Sequence, residues 1–153
     1  DPERLVFAGR VPKDEHLARH RLADLGLDTR IYNGGVTTWD ALAMDLPVIA
    51  LRGGHVPSRA TSSMLTALGL ETLIAQDLDE YQALALELAA DRDKLGRLKD
   101  SLAENAKTTS LFDTQATVRV LEQAYKAIWE NFASGAEPQS IRIEPPEPTE
   151  DQT

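Results

Sequence analysis

The residues best suited to chemistry in this 153-residue chain form one run, Tyr32-Asn33-Gly34-Gly35-Val36-Thr37-Thr38-Trp39-Asp40-Ala41-Leu42. It reads as a strand end, a glycine turn and a helix start in immediate succession. Such a junction leaves backbone N–H groups unpaired and turns them, with two hydroxyls, toward whatever sits above. A helix N-terminus carries a partial positive charge, so a phosphate can be held there without any lysine. Glycine lets the backbone approach closely. Asp40, about one turn into the helix, is placed to accept hydrogen bonds from a ribose. The competing reading is that Thr37 or Thr38 caps a helix and does nothing more.

Lys13 and His16 form a second candidate group, three apart on one helix face. A lysine donates to a base carbonyl or a phosphate, and an imidazole stacks on a planar base or moves protons. Against this stands the reading of Lys13 to His16 as an ordinary exposed first turn, with Asp14 and Glu15 placed there by the helix dipole. His20, between Arg19 and Arg21, reads as a surface residue, and His55 after a second glycine turn is a weaker candidate still. The three histidines lack metal-ligand spacing, so no metal is expected. No nucleophile elbow or triad can be assembled. Gly34-Gly35 matches neither a Walker A loop nor a GxGxxG fingerprint.

The elements that must position these groups alternate. Arg4-Leu5-Val6-Phe7-Ala8 is a short apolar run ending at Gly9 and is expected as a first strand. Val11-Pro12 opens a helix with proline near its first position; Ala18, Leu22 and Leu25 give it an apolar stripe, and Gly26 a stop. Residues 27–33 are expected as a second strand and 37–44 as a helix with Trp39, Leu42 and Ala43 inside. Residues 46–51 form a third strand with Pro47 tolerable at its start. After the turn Arg52-Gly53-Gly54-His55, a helix is expected over 58–68, ended by Gly69, then a fourth strand over 72–75. Four strand–helix alternations with short connections predict an α/β fold, a Rossmann-like parallel sheet with helices on both faces. Ligands then sit beyond the carboxyl ends of the strands, where both glycine turns and the Pro12-Lys13 junction lie.

From Asp77 the pattern is helical. Asp77-Leu78-Asp79-Glu80 reads as a capping box, with Leu78, Tyr81, Ala85 and Leu88 as the stripe behind it. Leu95, Leu98 and Leu102 mark a second helix, broken near Lys107-Thr108-Thr109-Ser110. A long last helix carries Val118, Leu121, Tyr125, Ile128, Trp129 and Phe132, read as core packing rather than as a docking face. The organisation is therefore a Rossmann-like, nucleotide-binding half over 1–76, helices packed on the same domain over 77–134, and an acidic, proline-rich tail over 135–153, expected to stay solvated. With 16 basic and 25 acidic residues the net charge is -9, which argues against sequence-independent nucleic-acid binding and against an anionic membrane surface. There is no cysteine, hence no disulfide framework or thiolate metal site. The start at Asp1, almost directly in an apolar run, suggests an excised fragment.

Taken in order, several segments resemble the C-terminal part of the catalytic region of the O-GlcNAc transferase and SPINDLY family. They are Val11-Pro12-Lys13-Asp14-Glu15-His16, the run from Asn33 to Leu42, Pro47-Val48, Ser58-Arg59, Leu68-Gly69-Leu70, Asp79-Glu80-Tyr81, Leu111-Phe112, and Leu121-Glu122-Gln123-Ala124-Tyr125 with Ile128-Trp129. The resemblance implies the second lobe of a GT-B type glycosyltransferase that moves a sugar from a nucleotide donor to serine or threonine hydroxyls of proteins. It implies that the Val11 backbone and Lys13 face the nucleobase with His16 against it. Gly35, Thr37 and Thr38 would contact the diphosphate and Asp40 would hold the ribose. It further implies no metal cofactor, a cytoplasmic location, and a protein acceptor engaged by the full-length enzyme. Ser58-Arg59 resembles the branch that uses UDP-GlcNAc more than the one that uses GDP-fucose. The first lobe, the tetratricopeptide repeats and the lysine at the departing diphosphate lie outside this chain, so no catalytic residue is expected within it. The chain alone is expected to be inactive, and to be able to form a homodimer through its uncovered side. Val36 stands where a hydroxyl residue is common in the family, Gly35 where animal enzymes have His, and Arg30-Ile31 where a Phe-Pro type pair is usual. The rival class is a non-catalytic Rossmann-like module for nucleotide binding or protein contacts.

Overall fold

The computed structural model describes residues 1–143 and contains three short parallel strands, β1 (Gly26–Leu27), β2 (Val48–Leu51) and β3 (Ile74–Ala75), in the order β1-β2-β3. Gly26 lies opposite Val48 and Leu27 opposite Ile49, while Ala50 pairs with Ile74 and Leu51 with Ala75. The central strand β2 is buried from Val48 to Ala50, as an unbroken apolar run in a parallel sheet requires. Gly26 is needed for close approach: a Cβ there would lie 2.9 Å from Val48 Cγ2. Pro47 precedes β2, where its missing N–H removes nothing from the ladder, and its carbonyl accepts from Gly26 N at 2.8 Å.

Six α-helices are described: α1 (Lys13–His20), α2 (Val36–Ala43), α3 (Ala60–Ala67), α4 (Leu78–Ala90), α5 (Arg92–Thr108) and α6 (Thr114–Ala133). Leu42, Ile49, Leu65, Leu68, Leu73, Leu88 and Leu102 are fully buried, so α2, α3, α4, α5 and the sheet share one core. Each of the last three helices opens on an aspartate. Asp77, Asp91 and Asp113 accept from the backbone N of Glu80, Lys94 and Ala116 at 2.8, 2.8 and 2.9 Å. Glu80 closes its box on Gln76 N at 2.7 Å, one residue earlier than the sequence pattern predicts. Gly69 ends α3 with φ 65°, and α5 covers the freed carbonyls: Asn105 Nδ2 donates to Leu68 O at 2.7 Å and Thr109 Oγ1 to Ala67 O at 2.9 Å.

Several expectations are corrected. Residues 4–8 are no strand: Pro2–Arg4 is a 3-10 turn, and Leu5, Val6 and Phe7 run on exposed, Phe7 at 91%. Strand propensity measures fit to a half-buried surface, and none of the described strands offers these residues one. Residues 27–33 shrink to a two-residue strand because Asp28 turns the chain, its Oδ1 accepting from Thr29 N at 2.9 Å and Gly34 N at 2.7 Å. Gly26 is thus the first residue of a strand rather than a helix stop. Helix α1 ends at His20, which leaves Leu22 88% exposed. The inner face of α2 is Thr38, Ala41 and Leu42, while Ala43 is exposed and Trp39 lies at the rim, edge-on to Phe112 at 4.9 Å. The third strand starts at Val48, and 3-10 turns (Val56–Ser58 and Glu71–Leu73) take up the first residues of the expected third helix and fourth strand.

The largest correction concerns α6. Its stripe from Val118 to Phe132 is exposed, Trp129 at 66% and Phe132 at 71%, and Ala116 is its one buried residue. Periodicity identifies a face suited to burial without saying what buries it. Of the expected tail, residues 136–143 are irregular and mostly exposed, and the remainder lies outside the described residues. Among the described residues no helix is long and apolar enough to cross a membrane.

Candidate functional site

The glycine turn after β1 is built from inside. Asp28 takes the Gly34 amide, and Tyr81 of α4 fixes Asp28 in turn by donating its hydroxyl to the Asp28 carbonyl at 2.8 Å. Burial, and then the charge of Asp28, raise the Tyr81 phenol pKa and keep it a donor. Gly34 has to be glycine, since a Cβ would stand 2.3 Å from Thr38 Oγ1 and 2.8 Å from Thr37 Oγ1. Gly35 is different: a Cβ there would meet nothing within 4 Å. It occupies the N-cap of α2, where no side chain caps the helix. The backbone N–H groups of Gly35, Val36, Thr37 and Thr38 consequently find no acceptor among the described residues.

The two threonines part company here. Thr37 is exposed beside the free amides, whereas Thr38 is buried at 4% exposure. Thr61 Oγ1 donates to the Gly34 carbonyl at 3.3 Å, which spends its one proton. Thr38 Oγ1, 3.3 Å from Thr61 Oγ1, is therefore the donor of that pair. Its hydroxyl ties the turn to α3 and faces inward.

Three of the charged candidates do meet. Lys13 Nζ donates to Asp40 Oδ2, and His16 Nε2 lies 3.7 Å from the same oxygen. The Asp40 side chain is 10% exposed and Lys13 59%, so the pair sits at the rim with the carboxylate below. Asp40 Oδ1 has no partner among the described residues. Arg19, overlooked in the sequence, sets the tautomer of His16. Its guanidinium reaches His16 Nδ1 at 3.1 Å, and a guanidinium can only donate. Nδ1 is then the acceptor and the neutral ring carries its proton on Nε2, toward Asp40. Desolvation, with His20 and Arg19 adding to it, holds the His16 pKa below its ordinary 6.5. His20 Nδ1 donates to His16 O at 2.8 Å, and its ring stands edge-on to His16 at 4.7 Å. Val11 is half-buried at the end of the segment leading into α1.

The second glycine turn serves the first. Ser58 Oγ accepts from His55 N at 3.0 Å and donates to His55 O at 2.9 Å, and a Cβ at Gly53 would collide with it at 2.2 Å. Pro57 O accepts from Asn33 N at 2.9 Å. Between the turns lies a cleft of about 160 Å³ walled by Arg30, Asn33, Arg52 and His55, and the buried Asn33 Oδ1 there has no partner among the described residues. Asp28 had no local signal in the sequence, because the amide it takes lies six residues on, at Gly34. Thr61 had none, since it arrives from another helix. Among the described residues no group of His, Cys, Asp and Glu is gathered as for a metal ion. The arrangement suits an anion on the α2 amides with a polar, hydroxyl-bearing group beside Asp40.

Comparison with known proteins supplies a lineage for this geometry. The model of glycosyl transferase family 41 matches residues 1–121. A probable UDP-N-acetylglucosamine--peptide N-acetylglucosaminyltransferase SEC of Arabidopsis thaliana is 35% identical over 143 residues, 93% of this chain and 15% of that protein. A UDP-N-acetylglucosamine--peptide N-acetylglucosaminyltransferase of Caenorhabditis elegans is 33% identical over 88% of this chain and 12% of its own length. Among solved structures, a mutant O-GlcNAc transferase of Thermobaculum terrenum superposes with a TM-score of 0.82 at 35% identity, covering 88% of this chain and 26% of that one. The chain thus spans well under a fifth of these curated relatives. A match over most of its length, carrying the turn, α1 and α2 alike, shows that this chain belongs to glycosyl transferase family 41.

Proposed function

We propose that this chain is the donor-binding lobe of a protein O-glycosyltransferase whose full-length form transfers N-acetylglucosamine from UDP-GlcNAc to serine or threonine hydroxyls. The observation that carries the proposal is the uncapped start of α2, four free amides beside Lys13, His16 and the open oxygen of Asp40. The diphosphate lies on the amides of Gly35 to Thr38 and on the Thr37 hydroxyl, and a ribose hydroxyl donates to Asp40 Oδ1. The base lies over His16, with Lys13 and the Val11 backbone at its edge. As the sugar leaves, negative charge grows on the diphosphate, and amides already aimed there stabilise it without reorganising. Inverting transfer needs the other lobe and its groups, so the isolated chain binds donor without turning it over. The two curated relatives are named for this donor and for peptide acceptors, which supports the choice of UDP-GlcNAc. A cytoplasmic location goes with this reading.

Calorimetric titration of the chain with UDP, GDP and their sugars tests it. UDP binding that weakens about tenfold or more in Asp40→Ala, as loss of a charge-assisted hydrogen bond requires, is the expected result. A chain that binds no nucleoside diphosphate, or binds it equally well after Asp40→Ala, refutes the proposal and favours the interaction module that the bare face of α6 suggests.

A further inference from the structure

A second cleft, about 290 Å³, lies between Arg52 and the outer face of α3 and is walled by Arg52, Arg59, Ser62, Ser63 and Thr66. The last four recur at helical spacing, so their side chains line one wall. Arg52 is held opposite by continuing the ladder beyond β2, its N donating to Ala75 O at 3.0 Å. Neither guanidinium has a hydrogen-bond or ion-pair partner among the described residues, although the chain carries a net charge of -9. An independent sign comes from Ser62, which is 5% exposed and whose Oγ is shut from solvent with no partner. A buried hydroxyl left unpaired is destabilising, and this one belongs to a residue that lines the cleft.

We infer that this cleft, which shares Arg52 with the cleft between the two glycine turns, binds a phosphoryl group, as a phosphate monoester or as free phosphate, on residues other than Lys13, His16 and Asp40. Two guanidinium forks and three hydroxyls exceed what the two oxygens of a carboxylate can use. They match the three terminal oxygens of a phosphate monoester, which arginine recognises in bidentate fashion. Bound phosphate supplies the partners that both arginines and Ser62 lack.

The test is titration of the chain, at constant ionic strength, with inorganic phosphate and with a phosphoserine peptide, followed by amide chemical shifts. Saturable shifts centred on Arg52 and on Arg59 to Thr66 are expected. Arg52→Gln and Arg59→Gln should each weaken binding about tenfold. Ser62→Ala should weaken it less while leaving thermal stability unchanged or higher, because it deletes an unpartnered hydroxyl. Tighter binding of the peptide identifies a covalently carried phosphoryl group as ligand, and equal binding identifies the free ion. Shifts that fail to saturate, or that persist in Arg59→Gln and vanish in Lys13→Ala, overturn the inference. Because these variants leave Lys13, His16 and Asp40 intact, the donor-lobe proposal can fail without this one, and the reverse.

Discussion

The layer between Gly26 and Phe112 and the helix α6 have the same kind of sequence pattern and opposite surroundings. In the first, leucines from four helices close over β2 until seven of the large apolar side chains are inaccessible. In the second, six residues spaced for burial face outward. The contrast teaches that periodicity fixes a face and leaves its partner open, and that the buried core of this chain is gathered around β2 and helices α2 to α5, which also frame the turn.

The sharpest way to break the comparison is a pair of truncations. Leu42→Ala, at the centre of the core, should lose about 2–5 kcal/mol in urea unfolding, while Trp129→Ser on α6 should stay within about 0.5 kcal/mol. Comparable losses would mean that α6 is packed in solution. The adjacent glycines offer a finer cut. Gly34→Ala forces a Cβ into both threonine hydroxyls and should cost about 1–3 kcal/mol, whereas Gly35→Ala, with open space around it, should leave the unfolding midpoint nearly unchanged. Smaller still are the caps. Asp77→Ala should lower global stability by about 1 kcal/mol; Asp113→Ala should instead show as fraying of α6, read by amide exchange, with little shift of the main transition.

The weakest effect is a pH dependence. Because folding depresses the His16 pKa, its contribution is complete above pH 6.5 and is lost as pH falls through the lowered value. Protonation there also removes the acceptor that Arg19 uses. A plot of urea midpoint against pH should fall on that acidic limb and flatten in His16→Gln, and a limb unchanged by the substitution would contradict it.

What the sequence disclosed followed from local rules. Pro12 before α1, the glycine bend into α2, the Asp77 cap and the Gly69 stop are each decided by a few neighbouring residues. What it withheld depended on distant partners. Residues 5–7 have strand chemistry and no adjoining strand, residues 28–33 are bent by one carboxylate, and Thr38 faces inward because Thr61 arrives from α3. The pairing of Lys13 with Asp40 follows from spacing only once α1 and α2 are known to touch. The ordered family resemblance gathered Lys13, His16 and Asp40 at one site, which periodicity could not do, but it also put the Thr38 hydroxyl on the ligand, where the fold turns it inward.

The hydroxyl of Thr61 grips the Gly34 carbonyl from across the fold. That clasp tethers the bend to a neighbouring cylinder, so the bend cannot travel alone. Any rigid rotation of α3 drags the α2 amides with it, and a substitution such as Thr61→Val, far along the chain from either glycine, would slacken the hold on whatever those amides carry.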